Sequence, residues 1–223
     1  MSELNLTHSN GNKVKLTTPD TLSANKTFKL PGADGSSGQS LVTDGSGALS
    51  FATPTPTYKN FGTTTISSSQ SEVDIDFDVT NYSNFKLMLE GWNPSTDCNM
   101  YCRFKISGSV STASNYSSLT IKKYGGGFDS NEYGGTNQNY GYMSHNVGGN
   151  GTYETYNAQL EIMTGSGTGM SFMHLATFYR DSGGQYVHNM GIVGWQNFNQ
   201  IQGIRIYPST GNITAGKYTL YGF

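Results

Sequence analysis

Residues 71–79 read SEVDIDFDV, and the reading of this stretch decides the fold class. Val73, Ile75, Phe77 and Val79 alternate with Glu72, Asp74, Asp76 and Asp78 without a break. A period of two places the apolar side chains on one face of a pleated strand and the carboxylates on the other. Outward from it the chain repeats the beat: NFKLMLEGW (84–92), NMYCRFKI (99–106), SSLTIKKY (117–124) and AQLEIMT (158–164). MSFMHLATFY (170–179), HNMGIVGW (188–195), IQGIRIYP (201–208) and GKYTLYGF (216–223) complete the series. No segment carries a convincing helical period. The spacing therefore predicts an all-β chain whose residues 58–223 form an antiparallel, jelly-roll-like β-sandwich. MSFMHLATFY is apolar on both faces, which suits a central strand or one that meets a neighbouring subunit.

Composition agrees. Ser, Thr, Asn and Gly supply 100 of the 223 residues, while only 13% are charged. Aromatics reach 13%, with 15 tyrosines, too many for a disordered low-complexity chain. Tyr and Thr suit pleated, half-buried surfaces, and Gly and Asn supply tight turns. A net charge of −2 leaves no basic footprint for nucleic acid. The stretch MSELNLTHSNGNKVK has no apolar core of a signal peptide, and no run approaches a membrane span, so neither export nor membrane insertion is expected. The six N-x-[ST] triplets, at Asn5, Asn25, Asn81, Asn115, Asn150 and Asn212, are what chance yields here and are not read as glycosylated. Cys98 and Cys102 share the inner face of one expected strand, about 13 Å apart, beyond disulfide reach. They read as two buried free thiols, as in a protein made in a reducing cell.

The first 57 residues have another texture. ELNLTH and KVKLTT flank SNGN, whose Asn10-Gly11 signals a hairpin. KTFKL, QSLVT and ALSF follow as short strands split by PGADGSSG and DGSG, and the Pro/Thr-rich ATPTPTYKN (52–60) reads as an extended connector. Each segment offers one or two large apolar residues, too few to offset the ordering entropy of some fifty residues. The missing core is expected from other copies of the chain, which makes residues 1–57 a short strand-and-turn shaft shared between protomers.

TFKLPGADGSSGQSLVTDGSGALSF (27–51) resembles the LP-x-x-DG-x-x-GQ-x-L-x-TDG-x-G-x-L-x-F/W segment near the N-termini of bacteriophage tail-fibre and other virion appendage proteins. QIQGIRIYPSTGNITAGKYTLYGF (200–223) is similar to the segment closing the β-sandwich head of a related group, and YSNFKLMLEGWNPSTD (82–97) to the second strand of such heads. Together these motifs cover about half the chain. The resemblance implies a virion protein, assembled in the host bacterial cytoplasm, usually a homotrimer, whose N-terminal segment joins other virion proteins and whose head faces outward. It leaves tail fibre and capsid decoration (head fibre) both open, and the sequence holds no long collagen-like or coiled-coil shaft.

Four groups of residues bear on a site. Asp74, Asp76 and Asp78 would share one strand face at steps of about 6.7 Å, a spacing that suits paired-carboxylate chemistry or a cation. The plainer reading, an acidic solvent face that guards an edge strand, is preferred because no supporting pocket or oxygen-rich loop is visible. His174 reads as a core histidine, and His188 stands apart from other ligands. GSGTGM (165–170) lacks the lysine and helix of a phosphate loop. The functional residues chosen are Tyr133, Asn139, Tyr140, Tyr142 and His145, within the Gly/Asn-rich stretch 124–157, read as loop carrying six tyrosines. Tyr faces stack on sugar C–H surfaces, and Tyr hydroxyls with Asn amides bond sugar hydroxyls or a protein epitope. The competing reading is that the rings pin a long loop to the sandwich. No cofactor, catalytic residue or enzymatic activity is expected.

Overall fold

The computed structural model describes residues 3–17, 21, 23–54, 58–124, 127–151, 153–165 and 169–223. It is all-β, and the described residues contain no helix. Contacts divide the chain into two units, Met1–Pro56 and Thr57–Phe223. Part of the expected connector, residues 55–57, and the centre of GSGTGM, residues 166–168, lie outside the described residues.

In the first unit, β1 (Glu3–Thr7) and β2 (Lys13–Thr17) form an antiparallel hairpin. Gly11, at φ 87°, turns the chain, and Asn10 Oδ1 accepts from the Asn12 amide at 3.1 Å. β3 (Ser40–Thr43) and β4 (Leu49–Ala52) form a second hairpin across TDGSG. There Asp44 Oδ1 accepts from the amides of Ser46 at 2.8 Å and Ala48 at 3.0 Å, and so fixes the turn. KTFKL, expected as a strand, is reduced to a single bridge between Lys29 and Ala48. Leu30 is 78% and Phe28 66% exposed. Among the residues of this unit whose burial is described, none is buried.

The second unit is a sandwich of two antiparallel sheets. Its strands are β5 (Lys59–Ile66), β6 (Val73–Asp76), β7 (Asn84–Pro94), β8 (Cys98–Ile106), β9 (Ser109–Val110) and β10 (Tyr116–Tyr124). They continue with β11 (Gly127–Gln138), β12 (Gly141–Val147), β13 (Tyr156–Met163), β14 (Ser171–Arg180), β15 (Tyr186–Trp195), β16 (Gly203–Pro208) and β17 (Ile213–Gly222). The larger sheet has the order β11-β10-β15-β14-β13-β7-β17-β5, and the smaller β12-β8-β16-β6, with β9 paired to β8. All nine strands expected of this region are present. The loop expected at 124–157 is corrected: most of it is β11 and β12, on different sheets.

The inner faces follow the period of two. Cys98, Met100, Cys102 and Phe104 of β8 meet Ile204 and Ile206 of β16 and Val73 and Ile75 of β6. From the other sheet come Phe85, Leu87, Leu89 and Trp92 of β7, Leu160 and Ile162 of β13, and Met173 and Leu175 of β14. β7 changes phase at Gly91, whose φ of 62° makes a bulge, so Leu89 and Trp92 both point inward. The Gly91 amide bonds Asn157 Oδ1 at 2.9 Å, and Trp92 Nε1 donates to the Lys217 carbonyl at 2.9 Å. Both cysteines are free and buried in this core. His174 is not the core histidine expected: it is exposed on the outer face of β14. With the larger sheet's inner face supplied by Met173 and Leu175, the alternation sends His174 outward.

Candidate functional site

The outer face of the smaller sheet carries the candidate site. Because Cys98, Met100, Cys102 and Phe104 point inward, Asn99, Tyr101, Arg103 and Lys105 must point out. β12 and β16 flank β8 and set Tyr142 and Tyr207 directly opposite Tyr101 on either side. The result is a row of tyrosines across three strands, half-exposed throughout. The centroid of Tyr101 lies 5.3 Å from Tyr142 and 5.8 Å from Tyr207. Tyr140, from the turn before β12, leans on Tyr101 at 4.3 Å. Tyr133 of β11 continues the row, stacked 6.2 Å from Tyr142 and 4.3 Å from His145.

The row has cations at both ends. The Arg103 guanidinium carbon lies 5.2 Å from the Tyr207 centroid, and its Nε donates to the Asn139 carbonyl at 3.0 Å. At the other end Lys122 Nζ sits 5.3 Å from the Tyr133 centroid and 3.2 Å from His145 Nδ1. Its side chain is fully buried between the sheets. Such contacts orient the rings and are worth about 0.5–2 kcal/mol each, more where desolvated. Burial, with the neighbouring hydroxyls of Tyr101 and Tyr133, pushes the Tyr142 phenol well above its usual range. Burial likewise raises Tyr207 to about 12. The hydroxyls of Tyr142 and Tyr207 are therefore neutral donors at physiological pH, suited to binding and unsuited to acid–base work.

Tyr133, Tyr140, Tyr142 and His145 are thus brought into one cluster. Asn139 reaches it through its backbone carbonyl, with its amide exposed. Tyr101, Arg103 and Tyr207 were missed, although the alternation in NMYCRFKI already placed the first two on an outer face.

The carboxylate trio has a different fate. Arg205 holds Asp74 through Nε at 2.7 Å and Nη2 at 2.8 Å, and reaches Glu72 through Nη1 at 2.8 Å. The Arg205 hydrogen bonds keep the Asp74 carboxyl below its ordinary value. Asp76 is paired with Lys105. Asp78 lies beyond the end of β6, in a turn where it accepts from Asn81 Nδ2 at 2.9 Å. Among the described residues no three His, Cys, Asp or Glu side chains are grouped to hold a metal ion. Asp74 and Asp76 thus serve as ion-pair partners along the edge strand, and Asp78 as an acceptor in the turn that follows it.

No protein-family model, no curated protein and no solved structure matches this chain.

Proposed function

We propose that this chain is a structural bacteriophage virion protein, a short homotrimeric fibre whose sandwich head binds a glycan on the host surface. The observation that carries the binding half is the tyrosine row Tyr207–Tyr101–Tyr142 with its neighbours Tyr140 and Tyr133. Rings held half-exposed by their own contacts offer stacking faces at low ordering cost, with hydroxyls for polar contacts.

Two observations support association between copies. The first unit buries none of the residues whose burial is described there, in keeping with a shaft that takes its core from neighbouring protomers. On the head, the outer face of the larger sheet exposes Leu119, Ile121, Met190 and Ile192, joined by Phe178 and Tyr186, each between 39% and 59% exposed. At about 200 Å² for a large side chain these leave on the order of 500 Å² of apolar surface open, the size of a patch that on a monomer is often functional. That is the scale of an apolar centre in an interface of about 800 Å² per partner. A second copy of the head is its proposed occupant.

The trio Asp74, Asp76 and Asp78 is taken up by Arg205, Lys105 and Asn81, so a polysaccharide depolymerase gains no support from it, and no enzymatic role is proposed. The alternative in the same virion setting is a capsid decoration protein with no receptor. Electron cryomicroscopy of the particle tests the placement: density at the tail supports the fibre, and density on capsomers the decoration. Binding of oligosaccharides by wild type and Tyr101→Ala tests the head.

A further inference from the structure

We infer that the glycan taken by the tyrosine row carries a fixed negative charge, a carboxylate or a phosphate, and that Arg103 is the residue that holds it. The inference rests on the glycan-binding reading above and narrows its ligand. Three cations share the outer face of the smaller sheet: Lys105 and Arg103 on β8, and Arg205 on β16. Two of them are answered from within the chain. Arg205 is gripped by Asp74 and Glu72, and Lys105 by Asp76.

Arg103 is not. It lies opposite Arg205 in register, yet it makes no ion pair with a carboxylate among the described residues. Its position is nonetheless fixed. Nε is spent on the Asn139 carbonyl, and the guanidinium lies by the Tyr207 ring. That leaves the Nη1 and Nη2 amino groups, a planar fork, without a carboxylate at the border of the row. Such a fork fits a carboxylate or phosphate through two parallel hydrogen bonds. Arg103 follows Tyr101 by two residues on the same strand face, a step of about 6.7 Å. A sugar ring stacked on Tyr101 or Tyr207 would therefore carry an exocyclic acid group within reach of the fork. Because the guanidinium is already oriented by Asn139 and Tyr207, little side-chain freedom remains to be lost on binding.

The test is titration of the full chain with three oligomers of similar length: an oligogalacturonate, its carboxyl-reduced neutral counterpart, and a glycosylated glycerol-phosphate oligomer. Wild type should bind one anionic probe at least about tenfold more tightly than the neutral one, the scale of one charge-assisted pair. Arg103→Gln should abolish that preference, and Arg103→Lys should keep part of it, since a lysine retains the charge and loses the fork. The two anionic arms separate carboxylate from phosphate. Equal binding of neutral and anionic probes by wild type, or a preference that survives Arg103→Gln, would overturn the inference while leaving the glycan reading intact. Failure of all three probes to bind would overturn both.

Discussion

Arg205 and Asp74 face each other in register across β16 and β6, joined by two hydrogen bonds of 2.7 and 2.8 Å. The pair fastens the edge strand of the smaller sheet to its neighbour through side chains as well as backbone. With the Asp74 carboxyl held below its ordinary value of 3.8, its contribution is present above that value and is lost as pH falls through the lower native one. Asp74→Asn should lower stability by about 0.5–1 kcal/mol at pH 7, the modest figure reflecting an exposed pair. Urea midpoints of wild type and variant should draw together as pH falls below 3.8, and a gap that does not narrow there would refute the assignment.

Tyr101 touches Tyr140, Tyr142 and Tyr207, so its ring is the hub of the row. Tyr101→Ala should weaken oligosaccharide binding about tenfold or more while removing ring contacts worth about 1–3 kcal/mol in all. Tyr101→Phe keeps the ring and loses one hydroxyl, and should retain most of the binding. Titration of both variants separates stacking from hydrogen bonding.

Most of the nine head strands were legible in the sequence because they alternate, and alternation is what a half-buried strand requires; MSFMHLATFY, apolar on both faces, was legible as a continuous apolar run. β11 and β12 were not legible: YGGTNQNYGY looks like loop chemistry because glycine and asparagine are poor strand formers in isolation. The backbone needs those glycines. A side chain at Gly134 would collide with the Ser118 carbonyl of β10, so the close pairing itself selects glycine. β5 was also passed over, since NFGTTTI has no clean alternation and Gly62 takes φ 97°. For the site, the tyrosines of residues 133–142 stood out by composition. Tyr101 and Tyr207 come from distant strands, and only the register of β8 with β12 and β16 joins them.

Ile121 and Met190 are direct cross-strand partners on the apolar outer face of the larger sheet. Replacing both with glutamate puts like charges where a second copy is proposed to dock, with little effect on a fold in which both are exposed. Wild type should scatter light as a trimer at micromolar concentration, and the double variant should dissociate at about tenfold higher concentration or more. A chain starting at residue 58 should also associate less tightly. An unchanged mass for the double variant would place the head contacts elsewhere.

Burial pushes the Cys98 thiol up to about 12 and raises Cys102 as well. Neither forms appreciable thiolate at pH 8, and neither is open to a reagent. Ellman's reagent should find no reactive thiol in the native protein and two after denaturation. Rapid native labelling would mean that the β8 core opens readily.

Gly141 couples the core to the tyrosine row. It sits between Tyr140 and Tyr142, opposite Cys102. A β-carbon there would lie 2.8 Å from Cys102 Sγ and press into a methyl of Val193 from the facing sheet. Both neighbours are fully buried, and a branched valine cannot swing aside. Gly141→Ala should therefore cost about 1–3 kcal/mol by overpacking. Because the strain is relieved by moving β12 outward, oligosaccharide binding should fall with stability, although no ligand-facing atom has changed. Val193→Ala alone opens a small cavity and destabilises too, but in the double variant the new methyl enters that space. The combined loss should be smaller than the two single losses added, by more than the about 0.5 kcal/mol seen between independent sites. Unfolding midpoints across the four proteins, with binding measured on each, decide the matter: strict additivity would mean that Gly141 is required for some reason other than the approach of Val193.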